Sequence, residues 1–229
     1  MSKKIIIDGN IGSGKSTVME RLEKVFKNEY RDVFNKNLYN KKCILDNINI
    51  IQEPVEEWKP YLDNFYSDMK VNSLALQMKI LKHHISIPKN NFKHKYEIVI
   101  SERSSISAID VFGKNLLNNN LLNKLDIDLM YDYNKQFNIF PDLFIYIDTS
   151  AEICHERINN RNRGIENKIS LEYLKDIENL YKIMYENPKI KEKAIIIDGN
   201  EDMDSVYNKM VVTLKQEIGN FYNDVYSYL

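Results

Sequence analysis

Apolar residues gather in five short runs along the chain: Lys4–Asp8, Ile48–Gln52, Glu97–Ser101, Leu143–Ile147 and Ala194–Ile197. Within each run, Ile, Val or aromatic residues follow one another without the polar alternation of a half-solvated strand. This is the pattern of a strand covered on both faces. Between the runs the apolar spacing becomes helical. One such stretch is Ser16–Phe34, with Val18, Leu22, Val25 and Phe26 on one face. The others are Val71–His84, Ser107–Leu117, Leu122–Phe137, Leu171–Tyr185 and Met203–Tyr222. Strand alternating with helix predicts an α/β fold, a five-stranded parallel sheet with right-handed crossovers and helices on both faces. Ligands of such a sheet gather at the carboxyl ends of its strands. No internal repeat and no Pro/Gly/Ser-rich linker interrupts the pattern, so residues 1–229 read as a single domain.

Composition and charge narrow the function classes. The formal net charge is −1, with acidic and basic residues interspersed. A nucleic-acid partner would call for a basic face, and none is expected. Two cysteines, Cys43 and Cys154, are too few for a disulfide framework or a thiolate metal site. No apolar stretch approaches the ~18 residues of a membrane span, and no targeting signal stands ahead of the first strand. The expectation is a soluble, cytoplasmic protein in a reducing compartment, without a membrane partner.

The chemistry begins directly after the first strand. Gly9-Asn10-Ile11-Gly12-Ser13-Gly14-Lys15-Ser16, followed by Thr17, has the G-x-x-x-x-G-K-S spacing between a strand and a helical pattern. Glycines at those positions let successive N–H groups turn toward phosphate oxygens, and the following helix adds its positive end. Lys15 is placed to reach the β/γ oxygens of ATP, and the Ser16 hydroxyl to ligate Mg²⁺. The fold is therefore read as a P-loop NTPase, and the chain as an ATP-dependent phosphotransferase. A bare Gly-rich turn is the rival explanation, and it leaves the Lys-Ser pair and the helix in register unexplained. Asn123-Lys124-Leu125-Asp126 matches the guanine-reading N-K-x-D of GTPases. It lies inside a helical pattern rather than at a strand end, and no D-x-x-G precedes it, so it reads as chance.

Phosphoryl transfer to a hydroxyl needs positioning, charge neutralisation and a carboxylate to take the acceptor's proton. Glu53 and Glu102 each follow a strand-like run, in Gln-Glu-Pro-Val-Glu-Glu-Trp and Glu-Arg-Ser. Either alone would pass for a solvated residue. Two at neighbouring strand ends beside a phosphate loop point to chemistry.

At these residues the chain resembles the deoxynucleoside kinase family. It is similar in the Gly9–Ser16 loop, in Glu53-Pro54-Val55 with Trp58, and in Glu102-Arg103-Ser104. It is similar again in Tyr146-x-Asp148-Thr149-Ser150-x-Glu152-x-Cys154-x-x-Arg157-Ile158, in Arg161-Asn162-Arg163-x-x-Glu166, and in Ile169–Leu174. The resemblance implies that Glu53 takes the proton of the deoxyribose 5′-hydroxyl, with Arg103 beside it. Glu102 would hold Mg²⁺ with Ser16, a proton-accepting role being its competing assignment. Tyr66 and Glu166 would bind the 3′-hydroxyl, Gln77 the edge of the base, and Trp58 and Phe112 its faces. Arg157, Arg161 and Arg163 would form a lid, about residues 157–168, over the phosphates of ATP, and Glu201-Asp202-Met203 would border the adenine. A homodimer is also implied. The bland alternatives are core aromatics at Trp58 and Phe112, helix-surface residues at Gln77 and Tyr66, and a solvated helix end for the arginines.

The chain departs from the family at Arg31–Asn47, which looks like an insertion, and at Ile165, where many members carry a second Glu. Members that favour deoxycytidine or purines place an Asp at the position of Ala108, paired to an Arg at the position of His84. Ala108 leaves room for the 5-methyl of thymine, so the expected acceptor is a pyrimidine deoxynucleoside. A monophosphate kinase resembling thymidylate kinase is the alternative, although Gln52 stands where such enzymes usually carry an Arg. A GTPase-like switch or a non-catalytic nucleotide-binding module is the alternative of another class.

Overall fold

A computed structural model describes residues 2–24, 47–94, 97–137, 140–161 and 169–226. Arg163, Glu166, most of the Arg31–Asn47 stretch and all but the start of the 157–168 lid lie outside the described residues, as do Val25 and Phe26. The five apolar runs form one sheet in the order β2 (Ile48–Ile51), β3 (Ile98–Glu102), β1 (Lys3–Gly9), β4 (Leu143–Asp148), β5 (Ala194–Asp198). All four pairings are parallel. The absence of alternation has its cause in β1, where both faces are covered. Ile5 and Ile7 pack with Val18 and Leu22 of α1 (Lys15–Lys24) and with Val206, Met210 and Leu214 of α10 (Met203–Tyr226). Ile6, on the opposite face, packs with Phe144, Ile177, Tyr181 and Met184, the last three from α8 (Leu171–Glu186). At ~25 cal/mol per Å² of apolar surface removed from water, these two faces dominate the favourable side of folding.

Three helical expectations change. The segment Val55–Ser67 is a helix, α2, which carries Pro60 inside it and buries only Trp58. Val55, Trp58, Tyr61, Leu62, Phe65 and Tyr66 recur at helical spacing, so the stripe was present in the sequence even though only Trp58 is fully buried. The stretch expected at Val71–His84 runs as α3 over Met69–His94. The stretch expected at Ser107–Leu117 is three pieces: α4 (Ser105–Ser107), a π-helical turn at Ala108–Gly113, and α5 (Lys114–Asn118). A Cβ at Gly113 would meet Ala108 O at 3.3 Å and Ile127 Cδ1 at 3.2 Å, so the wide turn sits against its neighbours without slack. The remaining helices are α6 (Lys124–Lys135), α7 (Ala151–Arg161) and α9 (Pro188–Lys191).

The GTPase-like tetrad finds its explanation in α6. Asn123 Oδ1 accepts the Asp126 N–H at 3.1 Å, and Asp126 Oδ2 accepts the Asn123 N–H at 2.8 Å. Asn and Asp three apart are here a capping box that starts a helix.

Candidate active site

The carboxyl ends of β1, β2 and β3 open into one cleft of about 1250 Å³. Phosphate-loop residues Ile11, Gly12, Gly14, Lys15, Ser16 and Thr17 line one end. Gly9, Asn10 and Ser13 lie outside the lining and build the loop from beneath. Asn10 is fully buried, its side-chain amide donating to Leu174 O at 2.8 Å and its carbonyl accepting the Ile11 N–H at 2.8 Å. Two glycines carry conformations that side chains rarely adopt. Gly12 (φ +82) lets the loop pass so near α7 that a Cβ would stand 2.6 Å from Cys154 O. Gly14 (φ +97) has the Met203 thioether against it, where a Cβ would come within 2.7 Å of Met203 Cε.

Lys15 is 4 % exposed and donates to Gly9 O at 3.0 Å and Asn10 O at 2.6 Å. Burial, followed by repulsion from Arg103, lowers its pKa to about 8. The Ser16 hydroxyl donates to Glu102 Oε1 at 3.0 Å, and the other Glu102 oxygen faces the Glu53 N–H at 3.4 Å. Two hard oxygen donors therefore meet at the foot of the loop, a set that fits Mg²⁺.

Glu53, Trp58, Tyr66, Gln77, Arg103, Ala108 and Phe112 all line the same cleft, so the structure gathers these residues from four separate segments. Glu53 and Arg103 are ion-paired through Oε2, and both side chains are buried. Burial alone would raise the Glu53 pKa. The Arg103 guanidinium, with His84 behind it, outweighs that and holds the carboxyl well below the usual carboxylate range. Arg103 has a left-handed backbone (φ 56), and its backbone N–H donates to Ile7 O at 3.0 Å. Its guanidinium lies 4.9 Å from the centre of the Phe112 ring, a cation–π contact. Gln77 is 5 % exposed, and its Oε1 is buried without a partner among the described residues. A buried amide oxygen without a protein partner is costly unless something else satisfies it. The Trp58 indole N–H is in the same condition, with its ring edge-on to His83 at 5.5 Å.

On the donor side, Arg157 and Arg161 line the cleft from the last turns of α7. Arg157 bridges the phosphate loop to the segment after β5, donating to Ser13 O at 3.4 Å and Glu201 O at 2.8 Å. Met203 reaches the cleft, whereas Glu201 and Asp202 are absent from its lining. Glu201 pairs with Lys209 at 2.6 Å, and Asp202 caps α10 by accepting the N–H groups of Asp204 and Ser205, both at 3.0 Å. Glu166 and Arg163 lie outside the described residues.

Several cleft residues have no motif to announce them. His84 lines the cleft on the same face of α3 as Gln77, seven residues on, and Tyr173 reaches it from α8. Beneath the loop, Tyr181 donates to Asp8 Oδ1 at 2.6 Å, both residues being fully buried. The sequence pointed to His84 only as the position where relatives carry an Arg, with no sign of its contact with Glu53. Tyr173 and Tyr181 offered only the α8 stripe, which any packed helix shows.

The deoxynucleoside kinase family model matches residues 5–221. The chain is 33 % identical over 217 residues to the 143R protein of Invertebrate iridescent virus 6, covering 95 % of this chain and 97 % of that protein. It is 28 % identical over 229 residues to the deoxyadenosine kinase of Dictyostelium discoideum, covering 96 % and 82 %. The fold superposes with a TM-score of 0.73 and 24 % identity on a deoxyadenosine kinase from M. mycoides solved with dCMP and a flexible dCDP, covering 93 % of this chain and 99 % of that one. No helix among the described residues is long and apolar enough to cross a membrane. The match of the family model over residues 5–221 makes this chain a member of the deoxynucleoside kinases, and a kinase.

Proposed function

We propose that the chain moves the γ-phosphoryl of ATP to the 5′-hydroxyl of a deoxynucleoside, with pyrimidines preferred. The observation that carries this reading is the single cleft with buried Lys15 at one end and the Glu53–Arg103 pair, flanked by Gln77, at the other. Glu53 takes the acceptor's hydroxyl proton, and Arg103 orients Glu53 and the attacking oxygen. Lys15, Arg157 and Arg161, with Arg163, neutralise charge on the phosphates. Ser16 and Glu102 would hold Mg²⁺, which when bound shields the β- and γ-phosphate oxygens. Tyr66 and Glu166 bind the 3′-hydroxyl, Gln77 pairs with the base edge, and Trp58 and Phe112 enclose its faces.

The pyrimidine preference is supported by Ala108, 1 % exposed at the start of the π-helical turn, which presents a methyl group where a carboxylate would discriminate against thymine. One methyl is worth only ~1–3 kcal/mol, so deoxycytidine is accepted too. Against the monophosphate reading, Gln52 donates to Glu23 at 3.1 Å and supplies no cation for an acceptor phosphate. A homodimer is proposed from the family, with Leu125 and Leu129 exposed one turn apart on α6 as the candidate contact. The test is a panel of the four deoxynucleosides and thymidine monophosphate, read as kcat/KM. Thymidine and deoxycytidine should lead. A lead by deoxyadenosine or deoxyguanosine overturns the base preference, and a lead by the monophosphate overturns the acceptor class.

A further inference from the structure

His84 stands two helical turns beyond Gln77 on α3, with Ile80 between them on the face that lines the cleft. Its side chain is 1 % exposed, and its Nε2 lies 3.4 Å from Glu53 Oε1, the oxygen that Arg103 leaves open. At that separation the contact is long for a hydrogen bond, and among the described residues the two ring nitrogens have no other polar partner, which leaves Nε2 free to close on Oε1. Its other charged or titratable neighbours are His83, with ring centres 5.2 Å apart, and Arg103 and Lys4, which share a small second cavity with it. Ala108, which lines the same cleft, offers the ring no carboxylate.

A carboxylate held at one oxygen still turns about its Cγ–Cδ bond, because that torsion is broad. Held at both oxygens, it does not. We infer that His84 is a positioning residue for the phosphoryl acceptor: with Arg103 on Oε2 and His84 on Oε1, the Glu53 carboxylate is fixed in the plane that meets the 5′-hydroxyl. The inference rests on Glu53 being the group that takes the acceptor's proton. It separates cleanly from a role for His84 as a wall of the base pocket. Every deoxynucleoside presents the same 5′-hydroxyl, so a residue acting through Glu53 affects all acceptors alike, whereas a pocket wall affects each base differently.

The experiment measures kcat and KM for thymidine, deoxycytidine and deoxyguanosine at saturating ATP in His84→Met, His84→Gln and the parent. In His84→Met, kcat should fall about 10- to 10²-fold by the same factor for all three acceptors, with KM changed less than about threefold, as expected when a reacting group is misplaced by about an ångström. His84→Gln places an amide N–H near the position of Nε2 and should restore most of the loss. If His84→Met does not fold, His84→Asn, polar but too short to reach Oε1, carries the same expectation. In a Glu53→Gln background, His84→Met should cost no more than about twofold further, because the two act as one unit. Losses that differ between bases, losses confined to KM, an unchanged kcat, or full multiplication of the two losses each overturn the inference. Parental turnover in Glu53→Gln alone overturns the base assignment and the inference with it. A dead Glu53→Gln beside a silent His84→Met overturns the inference alone.

Discussion

Glu53 is a buried carboxylate between the Arg103 guanidinium and the His84 ring, and its chemistry separates from its packing by a single-atom change. Glu53→Gln keeps the shape and removes the base, so kcat should fall about 10²–10⁴-fold with far less change in acceptor KM. The same carboxylate makes folding sensitive to pH. Its ionised form is favoured in the folded state, so the pair's contribution to stability is present above the usual carboxylate range and is lost as pH falls through and below it. Melting temperatures of the parent and Glu53→Gln should therefore converge on acidification. Lys15 behaves oppositely. Burial and Arg103 bring its pKa to about 8, and a bound polyphosphate favours the charged form. ATP binding near pH 8.5 should take up protons and near pH 6.5 should not, as calorimetry in buffers of different ionisation enthalpy would detect. Lys15→Met should remove the uptake, and its persistence would reassign the proton to another group. At this scale the sequence exposed what local spacing encodes. Lys15, Ser16 and the Glu102-Arg103 pair adjoin their strands, so position in the chain fixes position in the cleft. The contact of His84 with Glu53 joins a helix to a strand end 31 positions away and leaves no local pattern.

Helices differ in how openly they declare themselves. α8 buries Leu174, Ile177, Leu180, Tyr181, Met184 and Tyr185, a stripe that periodicity recovers. α2 fully buries only Trp58, yet Val55, Trp58, Tyr61, Leu62, Phe65 and Tyr66 repeat at helical spacing, and the local signal against a helix is Pro60 inside it. The π-helical turn was hidden for a different reason. One extra residue per turn shifts the apolar register, and the averaged pattern over Ser107–Leu117 still reads as an α-helix. That turn sets Ala108 and Phe112 against the cleft, and Ala108→Asp tests what the geometry is for. It should depress thymidine kcat/KM far more than deoxycytidine kcat/KM, and an equal loss for both would assign Ala108 to packing. The capping box of α6 makes the complementary prediction. Asn123→Ala should cost about 1 kcal/mol of stability, measured by urea unfolding, and leave turnover unchanged. A change in nucleotide preference would revive the guanine-reading interpretation.

Across the whole molecule, donor and acceptor ends share one sheet and one cleft, with Arg157 tying the loop to the segment after β5. Replacing Arg157 with Ala should lower kcat more than acceptor affinity, because a cation over the phosphates acts on charge that develops during transfer. Equal losses in both would make the residue a structural tie only. The strand order was beyond reach of the sequence because neighbours in the sheet are distant in the chain. Each apolar run is equally fit for any interior place, and crossover lengths do not distinguish them. That order governs how the chain can assemble. β1 precedes the other four strands yet pairs with β3 and β4, its Ile5 lying opposite Ile100 on one side and Leu143 on the other. During synthesis, Ile5, Ile6 and Ile7 therefore keep one strand edge open until β3 is made and the other until β4 follows. The loop that grips phosphate is translated well before β4 and α8, whose contacts with Gly9 and Asn10 support its shape. Nascent chains arrested before β4 should remain protease-sensitive at the amino terminus, and the arrest length at which protection appears would time the birth of the nucleotide site.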